Sequence, residues 1–431
     1  MGLTELHNHL YGSISVETLF WLGKNNPNPR WNLFTESYEK EFGKKIDPKN
    51  FFEVYDEPNK LGELYYFDKP GPFSQFQAKF NLIIALSTLN EEELIEVSRK
   101  TILEHWKEGI SYIEYRQMFS PIATREDYVK KLNAICKGLK KGEEESGNKI
   151  SGRLAISLHR DKLYIDQYEW VKQIQRDDSL VRKYLVGIDF CHIEENFPPK
   201  EKIKFFQKVH EDNQIEKETA LSILYHVAES FEDKTPHSAI RWVLDAAGSK
   251  VHRLGHCIAL GVNPEIYLGK KFHEKVSERR DQLKFLMDHY DEIRSFGVIV
   301  EKNQLEKEYQ ALGDRKDNEL LEFIGDKNFL EELLIFQDYA ISIIEKSDSI
   351  VETCPTSNLL IGRIPRLSDH PLKRFARSNL KLTIGADDPG IFKTSLEKEY
   401  SLANQLITDE QIKKIQENSI NFCSELLVGR K

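Results

Sequence analysis

The sequence lacks several features that would assign it to a common class of protein. Its 431 residues contain no run approaching the roughly 18 apolar residues that a membrane-spanning helix needs. The N-terminus has no basic segment followed by an apolar run and a cleavage site. Only five cysteines are present, and no two of them form a CxxC pair. We therefore expect free thiols, no disulfide framework and a soluble, cytoplasmic protein.

An excess of positive charge is also absent. Lys and Arg total 61 against 70 Asp and Glu, which gives a net charge of −9, and the basic residues form no stripe. We therefore expect neither a nucleic acid nor a membrane as partner. No GxGxxG motif follows a strand-like run, which counts against a dinucleotide-binding fold.

Short runs of β-branched and aliphatic residues recur along the chain, and segments with helical spacing, such as 91–109 and 128–139, lie between them. This alternation favours parallel strand pairing. Eight such strands favour a closed (β/α)8 TIM barrel over an open doubly wound sheet. The eight runs are TELHNHL (4–10), ISYIEYRQM (110–118), RLAISLH (153–159), VGIDFC (186–191), SILYHVAE (222–229), VHRLGHC (251–257), IVETCPTS (350–357) and LKLTIGADD (380–388).

Two connections, 16–108 after the first strand and 258–349 after the sixth, are too long for a simple crossover. Loops of this length usually have a role, so we expect added helices in both. The sequence predicts a single barrel domain, 1–431, with a helical insertion at 258–349. The amphipathic helices of this insertion could cap the pocket or form a homo-oligomer contact.

Ionisable residues gather at four of the predicted strand ends, and in such a barrel these ends form the active face. They are His7 and His9, His226 and Glu229, His256, and Asp387 and Asp388. Taken singly, each has an ordinary alternative: a hydrogen-bonded core histidine, or a carboxylate that caps a turn or helix. Because all of them fall on the same rim, a metal site is the stronger interpretation.

Side chains at positions i and i+2 of a strand share a face, so His7 and His9 can chelate one ion. Three imidazoles and one carboxylate suit one Zn²⁺ per chain better than iron or manganese. Glu229 lies three residues after His226, so it can face the site only if the strand has ended. Asp387 and Asp388 would repel each other unless a cation neutralised one of them.

The runs at these strand ends resemble the signature of the adenosine deaminase family within the amidohydrolase superfamily. The resemblance extends from the first strand to the helical tail, and the segment KEGISYIEYR is similar to that family's second strand. The runs that carry it are ELHNHLYGSI, HVAES, HRLGH, CPTSN and ADDPGIF, in this order.

The resemblance implies a zinc-dependent hydrolase that acts on the C–N bond of a cyclic amidine and deaminates an aminopurine nucleoside. The zinc ligands implied are His7, His9, His226 and Asp387. The resemblance implies that Glu229 protonates a purine ring nitrogen and that His256 orients the attacking hydroxide. It implies that Asp388 accepts a hydrogen bond from the hydroxide and contacts the purine, and that His9 also meets the substrate.

Two positions depart from the family pattern. The family's nucleoside enzymes usually have an acidic residue, which holds a sugar hydroxyl, where this chain has Tyr11. They tend to have glycine where this chain has His192. Either the changes are neutral drift on the rim, or the substrate is not plain adenosine but adenine, a nucleotide or a modified adenosine. The pattern also leaves open a different amidohydrolase reaction, such as hydrolysis of a cyclic amide, and a catalytically silent binder with the same fold.

Overall fold

The computed structural model describes residues 2–297 and 300–430, and its sheet structure is built from ten strands. These are β1 (Leu3–His9), β2 (Ile110–Met118), β3 (Ser151–Ser157), β4 (Leu185–Asp189), β5 (Ser222–Val227), β6 (Arg253–His256), β7 (Lys271–Lys275), β8 (Leu320–Ile324), β9 (Ile350–Thr353) and β10 (Leu382–Ile384).

Eight of these strands form a parallel barrel in the order β1-β2-β3-β4-β5-β6-β9-β10. The barrel closes between β10 and β1 through an isolated parallel bridge, Asn8 to Asp387. Strands such as β4 and β5 are buried along their whole length, as expected for parallel strands covered by helices. The predicted TIM-barrel fold is confirmed.

The predicted strands are all present, but several end earlier than the sequence pattern indicated. The run predicted for 350–357 ends at Thr353, because Pro355 starts a helix and the residue before a proline is disfavoured in helical conformation. The run predicted for 222–229 ends at Val227, two residues before Glu229.

The α-helices surround the barrel and fill the connections between its strands. Among the described residues, none of them is both long and apolar enough to cross a membrane. They are α1 (Val16–Asn25), α2 (Trp31–Phe42), α3 (Phe51–Val54), α4 (Pro58–Tyr65), α5 (Phe73–Leu86), α6 (Glu91–Lys107), α7 (Arg125–Glu145), α8 (Leu163–Asp177), α9 (Ser179–Tyr184), α10 (Ile203–Ile215), α11 (Pro236–Gly248), α12 (Ile258–Gly261), α13 (Val276–Asp288), α14 (Tyr290–Arg294), α15 (Lys302–Ala311), α16 (Lys327–Glu345), α17 (Pro355–Leu360), α18 (Leu372–Phe375), α19 (Pro389–Phe392), α20 (Leu396–Ala403), α21 (Asp409–Asn421) and α22 (Ser424–Leu427).

Both long connections contain the expected helices. The first holds α1 to α6, and the second holds α12 to α16 together with the antiparallel pair β7 and β8. The prediction of helices alone for 258–349 therefore missed the two strands β7 and β8. The two strands lie far apart in the sequence and β7 is dense in charge, so neither a hairpin turn nor an apolar alternation marks them.

Candidate active site

Four of the predicted site residues meet at the barrel's C-terminal mouth. The Nε2 atoms of His7 and His226 lie 3.1 Å apart, and those of His9 and His226 lie 3.2 Å apart. Asp387 Oδ1 lies 3.5 Å from His7 Nε2 and 3.3 Å from His9 Nε2. The structure therefore brings together the side chains for which the sequence predicted a shared ion, and their role as ligands stays a prediction.

The three predicted catalytic residues border this group. His256 Nε2 lies 3.6 Å from Glu229 Oε1 and 3.9 Å from Asp387 Oδ2, and it has no hydrogen-bond partner in the described parts of the chain. Asp388 is buried, and its Oδ1 atom is equally without a described partner. Two overlapping sets of possible metal donors result: His7, His226, His256 and Asp387, and His9, Asp387 and Asp388.

Left-handed backbone conformations cluster at this mouth. The φ angles are 54° at Ala228, 64° at His256, 50° at Cys257 and 62° at Asp387. Residues other than glycine pay about 1–2 kcal/mol for this conformation, and such strain is concentrated at functional sites. The turn at Ala228 redirects the chain directly after β5, so Glu229 lines the same cavity as His226 despite its odd offset.

The glycine in the opening motif LYGS is explained by a close approach. A Cβ atom built on Gly12 would lie 1.5 Å from Asp388 Oδ1. Any larger residue at this position would therefore push the Asp388 carboxylate away from the site.

Buried carboxylates fix the orientation of two imidazoles. His7 Nδ1 lies 3.0 Å from Glu352 Oε2, and His226 Nδ1 lies 3.1 Å from Asp189 Oδ1. Since a carboxylate accepts hydrogen bonds, each Nδ1 carries the proton and each Nε2 presents a lone pair. Such a carboxylate–histidine arrangement is typical of metal ligands.

These lone pairs provide a test of whether a cation fits. The unprotonated Nε2 atoms of His7 and His226 face each other at 3.1 Å. One N–H of Arg116 lies 3.2 Å from His7 Nε2, so of these two imidazoles it can donate only to His7. Converging lone pairs repel unless a proton or a metal lies between them. The donor set therefore fits a divalent metal, and nitrogen with carboxylate donors is the combination that Zn²⁺ prefers.

Sequence analysis missed four buried residues that support the site. Arg116 forms ion pairs with Glu352 and, at 3.5 Å, with Asp189. Arg160 donates to the backbone oxygens of three residues at the ends of β4 and β5: Phe190, Cys191 and His226. Asp189 and Arg116 lie near the ends of predicted strands and could have been found there. Arg160 and Glu352 carry no local signal, because only the closed barrel puts them beside the imidazoles.

Burial and mutual repulsion separate the pKa values of the carboxyl groups. Burial and the charge of Asp387 raise the pKa of both Glu229 and Asp388 well above the usual range. Burial also acts to raise the pKa of Asp387, but the neighbouring imidazoles of His7, His9 and His256 hold it well below its usual value. Their surroundings thus favour the ionised form of Asp387 and the protonated forms of Glu229 and Asp388.

The site opens into a cavity of about 740 Å³ that Tyr11 and His192 also line. Tyr11 is buried, and its hydroxyl donates to Glu93 Oε1 at 3.1 Å. His192 has a φ of 68°, and its ring meets that of Phe73 edge-on at 6.0 Å. A left-handed conformation suits glycine, which gives a physical reason for the glycine implied at this position by the family pattern.

Comparison with known proteins matches short parts of the sequence to deaminases. The family model described as adenosine deaminase matches residues 336–425, which include β9, β10 and Asp387. Aminodeoxyfutalosine deaminase of Acidothermus cellulolyticus is 41% identical over 66 residues, 15% of this chain and 18% of that protein. Adenosine deaminase of Plasmodium gallinaceum is 40% identical over 60 residues, 14% of this chain and 17% of that protein. The chain thus matches less than a fifth of the length of these relatives.

Solved structures share the fold over nearly the whole chain. Adenine deaminase from Arthrobacter aurescens has a TM-score of 0.56 at 16% identity, covering 99% of this chain and 97% of that one. An amidohydrolase from Burkholderia ambifaria with bound Zn has a TM-score of 0.55 at 15% identity, covering 98% and 85%. The family-model match over residues 336–425 and the shared barrel fold both indicate a relationship to the adenosine deaminase family.

Proposed function

We propose that this protein catalyses the hydrolytic deamination of an aminopurine nucleoside, adenosine or a modified adenosine, to the corresponding inosine and ammonia. The observation that carries the proposal is the buried Glu229 carboxyl 3.6 Å from His256, at the rim of the imidazole and carboxylate cluster and in the same cavity. The relatives named as adenosine and aminodeoxyfutalosine deaminases support it. Deamination of adenine or of an adenine nucleotide is the alternative.

We assign one Zn²⁺ to His7, His9, His226 and Asp387, with His256 beside it. The fit of the donor set and the bound Zn of the Burkholderia neighbour support this assignment. When bound, a zinc ion lowers the pKa of a coordinated water to about 7 and so supplies a nucleophile at neutral pH.

Glu229, His256 and Asp388 have separate roles in the reaction. An aromatic C6 is a poor electrophile until the neighbouring ring nitrogen is protonated, and burial raises the pKa of Glu229, which favours the protonated form that can donate there. Burial lowers the pKa of His256, so its ring is neutral and Nε2 can accept a hydrogen bond from the attacking water. Asp388 Oδ1 is left to contact the purine or the water. A C6–O bond forms, the C6–N bond breaks, and the amino group leaves as ammonia after it has gained a proton.

The first experiment measures ammonia release by the zinc-loaded protein from adenine, adenosine, AMP and N6- or 5′-modified adenosines. We expect turnover of at least one nucleoside. If no adenine-containing compound released ammonia, the proposed reaction would be wrong, and a panel of cyclic amides would then test the other amidohydrolase chemistry.

The second experiment replaces Glu229 by Gln, which keeps the shape of the side chain but removes the proton donor. We expect bound zinc at the wild-type level and a loss of about 10²–10⁴-fold in kcat, the usual contribution of a general acid. Glu399→Gln is the matched control. Glu399 is also buried, but its carboxylate accepts hydrogen bonds from the hydroxyls of Thr356 and Thr394, outside the cavity. Full activity of Glu229→Gln would reject the assigned role.

We further propose that the chain works as one domain whose segment 258–349 either covers the pocket or joins two subunits, and that it acts in the cytoplasm. The buried free thiols of Cys136, Cys191, Cys257 and Cys354 support a reducing compartment. Light scattering of the intact protein and of a variant with charge-reversed exposed residues on α15 would distinguish a subunit contact from a cover.

A further inference from the structure

The cavity at the barrel mouth is larger than the proposed substrate. An adenosine molecule packed at the density of a protein interior occupies roughly 300 Å³. The cavity measures about 740 Å³ and is lined by the catalytic groups, by Tyr11 and by side chains of the first long connection. More than half of its volume therefore lies beyond a bound nucleoside.

The wall of this outer part comes from the first long connection and is mainly apolar. We call it the apolar arm; its side chains are Leu33 on α2, Phe73, Phe76, Phe80 and Ile84 on α5, and Leu89. Leu33 is 48% exposed, and all the others except Phe76 are only partly buried. Apolar side chains left partly exposed in a concave surface next to a catalytic site indicate that a ligand covers them.

Tyr11 lines the same cavity as the catalytic groups and the apolar arm but offers no carboxylate. Its hydroxyl donates to Glu93. The Glu93 carboxylate also accepts from the Thr88 backbone and hydroxyl, both at 2.6 Å, and from the Leu89 N–H at 3.1 Å. The Glu93 carboxylate is therefore fully used by neighbouring donors, and Tyr11 offers a phenol instead of a carboxylate. The 5′-hydroxyl of a ribose thus loses its implied acidic partner here.

We propose that the apolar arm binds an apolar group on the 5′ carbon of the substrate. The favoured substrate is then an adenosine in which an alkyl or aryl substituent, linked for example through a thioether, replaces the free 5′-hydroxyl. This inference rests on the proposed deaminase function and deepens it.

A 5′-phosphate is the competing occupant. Four cations line the cavity: Arg116 and Arg160, which bond to His7 and to the His226 backbone oxygen, and Arg30 and Lys131. One nitrogen of Arg30, however, already donates to the Ile84 oxygen at 2.7 Å and to the Ser87 oxygen at 3.1 Å. The apolar side chains outnumber the free donors here, and for this reason we assign an apolar group and treat a phosphate as an outcome of the test.

The test compares kcat/KM of the zinc-loaded protein for adenosine, 5′-deoxyadenosine, 5′-phenylthio-5′-deoxyadenosine and AMP. We expect the phenylthio compound to exceed adenosine by about tenfold or more, as a filled apolar pocket discriminates. Faster deamination of adenosine or of AMP would overturn the assignment of the apolar arm and leave the deaminase function standing. Absence of ammonia from all four would instead count against the deaminase function itself.

A variant separates the apolar arm from the rest of the cavity. Phe80→Ala should lower kcat/KM for the phenylthio compound at least about tenfold more than for 5′-deoxyadenosine, mainly through KM. Phe42→Ala removes an equally half-buried ring from α2 outside the cavity and should leave the ratio of the two substrates unchanged. An equal loss on both substrates in Phe80→Ala would overturn the proposal.

Discussion

Replacing Glu5 should loosen the barrel at its closing seam, the junction between β1 and β10. The two strands share only a short set of contacts: His9 N donates to Asp387 O, and Asp387 N donates to His7 O, both at 2.8 Å. The Glu5 carboxylate adds a bridge, because one oxygen accepts the His7 N–H at 2.8 Å and the other accepts the Ala386 N–H at 2.9 Å.

The magnitude follows from the two buried donors. Glu5 is fully buried, so Glu5→Ala leaves both N–H groups without an acceptor. Each unsatisfied group costs about 1–3 kcal/mol, so we expect a loss of about 2–6 kcal/mol in the free energy of unfolding. Glu5→Gln is the sharper change, since an amide has one acceptor oxygen and must turn its NH₂ toward the other N–H. We expect it to cost about half as much.

Equilibrium unfolding in urea, followed by circular dichroism, measures both variants. Zn²⁺ binding by these variants, measured by competition with a chelator, should also be at least about tenfold weaker, because His7 and Asp387 lie on opposite sides of the seam. Glu397→Ala, an exposed carboxylate on α20, serves as control and should stay within about 0.5 kcal/mol. If Glu5→Gln matched the wild type in both stability and metal affinity, the bridging role would be wrong.

Three further outcomes are expected. Gly385→Ala should destabilise the protein by about 1–3 kcal/mol in urea, since its Cβ would lie 2.6 Å from His7 Cβ and 2.9 Å from His7 O. Asp189→Asn should weaken Zn²⁺ binding by about 10–100-fold in a chelator competition, because the amide no longer fixes the His226 ring as a carboxylate does; unchanged affinity would contradict this. Burial lowers the pKa of His105 from 6.5 to about 4, so the unfolded chain binds a proton first as pH falls. His105 should then lower the free energy of unfolding by about 1.5 kcal/mol between pH 6.5 and 5. Urea unfolding at both pH values should show that His105→Gln removes this part of the pH dependence.

The fold could be predicted from the sequence because parallel barrel strands are buried on both faces and appear as short apolar runs. The sequence pattern also located the ionisable residues at the strand ends, and the end of β5 before Glu229 agrees with the argument made from its odd offset. It overran strand ends where a left-handed residue or a proline stops the pairing, as at Ala228 and Pro355. Those stops depend on backbone conformation, which side-chain periodicity does not encode.

Several decisive contacts join residues hundreds of positions apart. Glu5 meets Ala386, and Glu352 meets His7, only because the barrel closes. The apolar arm is equally hidden in the sequence, since its phenylalanines look like ordinary core residues of α5 until the fold leaves them beside the catalytic groups.

The sequence by itself predicted the barrel, the cluster of imidazoles and carboxylates at its rim, and the resemblance to the adenosine deaminase family, because local periodicity and short motifs carry all three. Only the tertiary structure decided which carboxylates orient which histidines, how β1 is held to β10, and how large the cavity beside the catalytic groups is. The physical reason is that hydrogen bonds, pKa shifts and cavity walls depend on distances between side chains, and folding sets those distances between residues that the sequence keeps far apart.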